Sequence, residues 1–178
     1  MSLSLATYFL GFLFLLTGAV LVSGHEQVRY WTRRFPRSET AAWVLMAVAG
    51  GWFLWHVWNL GEADFGQFRG ILFLIFATLA VLSCVYAKDF LSVRAACILF
   101  LLLANVFLSA AFMQEPRSRL FMVTPVYFGI ILALYLTLSP FRLRDFIEWI
   151  WQEPFRFRLA GGSCLAYGLF LLILPLSY

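Results

Sequence analysis

The sequence predicts an all-α fold: a polytopic integral membrane protein with six transmembrane helices arranged as three hairpins, and amphipathic interfacial helices in the first and third cytoplasmic connections. Three observations carry this. First, 63% of the residues are hydrophobic and 12% are charged, with a mean hydropathy of +0.87; a soluble domain is about 45–50% apolar and about 25% charged. Second, six apolar runs are each long enough to cross ~30 Å of hydrocarbon as a helix. Third, the basic residues are divided unevenly between the connections. This composition excludes a disordered chain, a disulfide-built secreted domain and an ordinary soluble enzyme. In 178 residues, six spans and their connections form one transmembrane domain, 1–178, with no room for a folded soluble domain.

The runs cover about 3–22, 41–60, 68–87, 91–113, 120–138 and 159–176. Lipid cannot satisfy backbone N–H and C=O groups, so helix is the spanning choice at these lengths. The first run has no basic flank before it, and Val22-Ser23-Gly24 is a poor signal-peptidase site, so it reads as a span rather than a signal peptide.

Orientation follows from lysine and arginine placement. Arg29, Arg33, Arg34 and Arg37 follow the first run; Lys88 and Arg94 follow the third; Arg142, Arg144, Arg156 and Arg158 follow the fifth. Against these ten, the opposite side carries Arg69, Arg117 and Arg119, beside the acidic Glu62 and Asp64. The positive-inside rule places the ten in the cytoplasm and both termini outside, and the size and compactness suit a bacterial inner membrane. The net charge of +4 is then a feature of topology, and nucleic-acid binding is not expected.

The first and third connections each predict an interfacial helix, at about 25–35 and 141–153. Leu143, Phe146, Ile147 and Ile150 have i, i+3, i+4, i+7 spacing, with Arg144, Asp145 and Glu148 elsewhere, and Pro154 ends the helix. Val28, Trp31 and Phe35 share a side of the other, which Pro36 ends. The arginines named in these connections are the candidate contacts with anionic lipid or a partner. A shift of 118 residues places Trp31 on Trp149, Pro36 on Pro154 and Gly50 on Gly168, a sparse internal repeat. Pro140, Pro154, Arg158, Gly161-Gly162 and Gly168 resemble the pattern of a small bacterial two-helix membrane family of unknown function. The resemblance covers about 135–176 and implies only a helical hairpin.

No Asp, Glu, Lys or Arg lies in the middle of a run. Ion-coupled transporters usually keep a charge there, so autonomous coupled transport is disfavoured. His56, with Trp52, Trp55 and Asn59, stands near the outer end of the second run. These four read either as a pocket for a head group or quinone, or as an aromatic belt holding one hydrogen-bonded histidine. His25 lies most of a bilayer away, so the two histidines cannot share a haem, and no cofactor is predicted. Asn105 and Ser109, i and i+4 on the fourth run, are candidates for an interhelical hydrogen bond.

Cys84, Cys97 and Cys164 have no metal-site spacing and predict neither a metal nor a disulfide. Thr7/Gly11, Ala47/Gly51 and Gly162/Ala166 have small-xxx-small spacing, expected at packing seams. No nucleophile elbow, zincin, Walker or Rossmann motif is present, and no catalytic residue is predicted. Two functions remain. One is a non-catalytic subunit or scaffold of a larger membrane complex, packing laterally against other subunits or itself and holding lipid through its basic connections. The other is a small transporter, channel or lipid- or quinone-binding protein using the outer pocket at His56 and Asn59.

Overall fold

The computed structural model describes residues 2–86 and 89–177, and Lys88 lies outside them. The described residues form helices joined by turns, without strand. Six helices are long and apolar enough to cross a membrane, which makes the chain an integral membrane protein. They are α1 (Leu3–Ser23), α3 (Glu39–Trp58), α4 (Arg69–Tyr86), α5 (Leu91–Ala111), α6 (Arg119–Leu138) and α8 (Pro154–Ile173). Two short helices, α2 (Glu26–Arg34) and α7 (Phe141–Ile150), occupy the first and third long connections.

Local chemistry sets the ends. Ser2 and Ser38 cap α1 and α3 by accepting from the N–H groups of Leu5 and Ala41. Gly24 closes α1 in the left-handed conformation, φ 59°, and donates to the Leu21 carbonyl, an arrangement that glycine adopts without strain. Arg119 donates to the carbonyls of Ala111 and Gln114 at the end of α5, where a cation complements the helix dipole.

The largest departure from the predicted elements is α8. It begins at Pro154, five residues before the expected apolar run, and Pro154 opens this helix rather than ending α7. Proline is pre-organised for the first helical turn, where its missing N–H costs nothing. Arg156 and Arg158 therefore stand on a helix, not in a loop.

Helix pairing also differs from the expected hairpins. The broadest contacts are α1 with α8, α3 with α5, α5 with α6, and α3 with α4. Adjacent spans thus pack across the short connections at 59–68 and 112–118, and the first and last spans pack on each other. The spans joined through α2 and through α7 do not pack broadly on each other, and neither do α4 and α5.

The contact of α1 with α8 rests on four glycines. Gly11 and Gly18 are seven residues apart, as are Gly161 and Gly168. Running antiparallel, Gly11 meets Gly168 and Gly18 meets Gly161. A Cβ at Gly18 would lie 2.8 Å from the Gly161 carbonyl oxygen, and one at Gly168 would lie 3.0 Å from that of Gly11. In lipid, where no hydrophobic force drives helices together, such backbone approach supplies van der Waals contact. The main core joins α1, α5, α6 and α8 through Leu3, Ala6, Leu10, Phe107, Met122 and Leu171. The α3–α4 pair attaches through α3. Cys84 is the only residue of α4 described as buried, and the Phe53–Phe76 and Trp58–Phe73 rings hold its far end to α3.

Candidate functional site

The three odd-numbered connections meet at one end of the bundle. Trp151, just beyond α7, is 2% exposed and donates through Nε1 to the Thr32 hydroxyl of α2 at 3.1 Å. Val28 and Leu21 pack with Ile147, Ile150, Trp151 and Phe157 around this hydrogen bond. Ser92, buried at the start of α5, donates to the carbonyl oxygens of Phe35 and Pro36 at 2.8 and 2.9 Å. Residues far apart in sequence are thereby locked into one platform. The predicted apolar faces divide: Val28, Ile147 and Ile150 turn into the protein, while Trp31 and Phe146 stay exposed.

All eight candidate arginines stand on this platform. Arg29 is half-buried, its guanidinium 5.4 Å from the centre of the Trp151 ring, and its Nε is buried without a hydrogen-bond partner among the described residues. Arg34 donates to the Tyr30 hydroxyl and lies 5.8 Å over the same ring. Arg37 lies over Phe90, Arg142 over Phe141, and Arg156 over Trp149 at 4.6 Å. Arg33 and Arg158 are exposed.

Among the described residues, ion pairs form only at Arg144, with Asp145 at 2.8 Å and Glu148 at 4.0 Å, and at Arg156, with Glu153 at 3.0 Å. The hydrogen bonds that Arg144 donates to Asp145, reinforced by the charge of that carboxylate, raise the pKa of Arg144 above its ordinary value. The other six have no carboxylate partner among the described residues, and aromatic faces hold several of them in place.

The residues of the expected outer pocket lie at the other end of α3. His56 is half-buried between Trp52, stacked at 6.3 Å, and Trp55, edge-on at 5.2 Å. Its Nε2 is buried without a hydrogen-bond partner among the described residues. Asn59 donates from Nδ2 to the Trp55 carbonyl at 2.7 Å, which finishes the helix, and both Asn59 and Trp55 face outward. The four side chains belong to one helix, and no residue of a second helix is in ring contact with His56 among those described.

Asn105 and Ser109 are exposed on α5, not between helices as expected. The face of α5 that packs holds Ala104, Phe107, Ala110 and Ala111 instead, so the polar pair turns outward. Cys84 and Cys97 are buried in separate clusters, and Cys164 is half-buried. No group able to hold a metal ion is found among the described residues.

Sequence reasoning found one part of the glycine seam, Gly11 of the Thr7/Gly11 pair, and missed its partner on α8. It singled out Gly162, whose Cβ position is open, in place of its neighbour Gly161. The signal was the shared seven-residue spacing in the first and last runs. The two ends of the proposed repeat also differ: Gly168 is tight against Leu15, whereas nothing lies within 4 Å of the Cβ position of Gly50. Compared with family models, with curated proteins and with solved structures, the chain matches none.

Proposed function

We propose that this protein is a non-catalytic membrane subunit, a scaffold whose basic end faces the cytoplasm of a bacterial inner membrane. There it engages anionic lipid and the acidic surface of partner subunits. The observation that carries this reading is the platform: two arginine-rich helices, 119 residues apart at the Trp151–Thr32 hydrogen bond, held together with six arginines free of carboxylate partners among the described residues. An array of guanidinium groups without carboxylate partners among the described residues suits phosphate and carboxylate partners. In a chain whose spans carry no mid-membrane charge, it is also the largest concentration of chemistry.

The second reading, a small-molecule pocket at His56, keeps one favourable observation: a buried ring nitrogen without a hydrogen-bond partner among the described residues. It is the weaker reading, because Trp55 and Asn59 turn outward.

Native mass spectrometry after gentle detergent extraction from the source cell tests both. Stoichiometric co-purifying protein is expected for a subunit. A lone chain carrying a quinone or other small molecule, lost on His56→Ala, would replace the scaffold reading with the pocket.

A further inference from the structure

Between α2 and the first turns of α3 lies a cleft of about 990 Å³. Tyr30, Trp31, Arg34 and Arg37 line its upper part, and Ala41 and Val44 of α3 line its lower part. Polarity is thus graded along the wall. Cations and amphipathic rings stand at the level where the span begins, and the side below continues as the lipid-facing surface of α3, where Val44 is 58% and Val48 is 52% exposed.

Neither Arg34 nor Arg37 pairs with a carboxylate among the described residues. Each rests on an aromatic ring 5.8 Å from its guanidinium, Tyr30 for Arg34 and Phe90 for Arg37, which fixes the group while leaving donors free. The cleft also receives the N-terminus of the 20-residue α3, whose first N–H groups have no partner within the helix and whose dipole is positive there. Glu39 is the one acid in the lining, so the two arginines and the dipole outweigh it. Trp31 and Tyr30, 68% and 54% exposed, suit the boundary between head groups and acyl chains, where one end of a ring is wet and the other apolar.

We propose that this cleft is a binding site for one anionic phospholipid. Its phosphate sits between the Arg34 and Arg37 guanidinium groups, and its acyl chains lie along the Ala41–Val44–Val48 face of α3. Guanidinium forks match phosphate oxygens in pairs, and the graded wall fits an amphiphile better than a free anion. This rests on the lipid-engaging part of the proposed function and does not require a protein partner.

The test uses the full-length chain in detergent, mixed with equal amounts of phosphatidylglycerol and phosphatidylcholine, with retained lipid counted by native mass spectrometry. The wild type should retain phosphatidylglycerol in preference by about tenfold, the scale of charge-assisted hydrogen bonds. The preference should vanish in Arg34→Gln/Arg37→Gln. It should also vanish in Thr40→Glu, which adds a negative charge at an exposed position where an acid favours the helix and the fold is kept. Arg69→Gln/Arg117→Gln, the same loss of charge at the opposite end, should leave it intact.

The proposal is overturned by a wild type without preference, by equal loss in the opposite-end variant, or by cleft variants that keep the preference. Displacement of the retained lipid by millimolar inorganic phosphate would make the ligand a free anion and overturn it too. The subunit reading stands or falls separately, on whether a protein co-purifies from the source cell.

Discussion

Glycine has two distinct roles here, separated by what each missing Cβ faces. At Gly18 a methyl group would meet the Gly161 carbonyl oxygen and the Leu165 nitrogen at 2.8 Å, both of them backbone. Backbone cannot swing aside as a side chain can, so Gly18→Ala must push α1 away from α8, a cost of about 1–3 kcal/mol. At Gly162 nothing lies within 4 Å, and alanine is the better helix former. Thermal unfolding in detergent should therefore show a lowered Tm for Gly18→Ala and an unchanged or slightly raised Tm for Gly162→Ala. Equal Tm values for the two would remove the seam as the basis of the α1–α8 contact. The sequence displays both glycines in similar apolar surroundings. What distinguishes them is the partner helix, some 140 residues away at 18 and 161, and no local pattern specifies that partner.

At the scale of the element, apolar run length was sufficient to locate every spanning helix, because a membrane allows one regular structure at that length. The short helices α2 and α7 also lie where the spacing predicted helix, but their faces were only half legible. Val28 and Ile150 turn into the protein while Trp31 and Phe146 do not, since a helix lying between protein and surroundings divides its apolar stripe between them. The α2–α7 clamp follows from this. Trp151→Phe keeps a ring in place but removes the N–H that reaches Thr32, and should lower stability by about 0.5–1.5 kcal/mol. It should also speed backbone hydrogen exchange in α2 more than in α5, whereas uniform change across the helices would mean that the clamp does not couple them.

Helix α4 presents the opposite case, with Leu74 and Val81 67% and 64% exposed. Leu74→Trp should leave stability within about 0.5 kcal/mol of wild type, as outward-facing changes do. If α4 is a lateral contact for a partner subunit, the same variant should reduce the co-purified partner. Full retention of partner would move that contact to another helix.

For the whole molecule, the decisive asymmetry is between the two ends. The basic end gathers three connections through Ser92, Thr32 and Trp151. At the opposite end two of the three arginines have local structural work: Arg119 caps α5, and Arg69 lies over Trp58 at 5.9 Å. Platform arginines stack on rings as well, so the contrast between the ends is one of number, the eight platform arginines against three. Translocating the platform would also carry six arginines without carboxylate partners among the described residues across the hydrocarbon, which is costly at the bilayer centre. The platform should therefore remain where it is synthesised.

Single cysteines at Gln27 and Glu62, both exposed, test this in a background with Cys84, Cys97 and Cys164 replaced by alanine. A membrane-impermeant thiol reagent should label Glu62→Cys in intact cells, and Gln27→Cys only after permeabilisation. The reverse pattern would invert the molecule. It would move the arginine platform to the outer leaflet, and cytoplasmic partners could no longer be its targets.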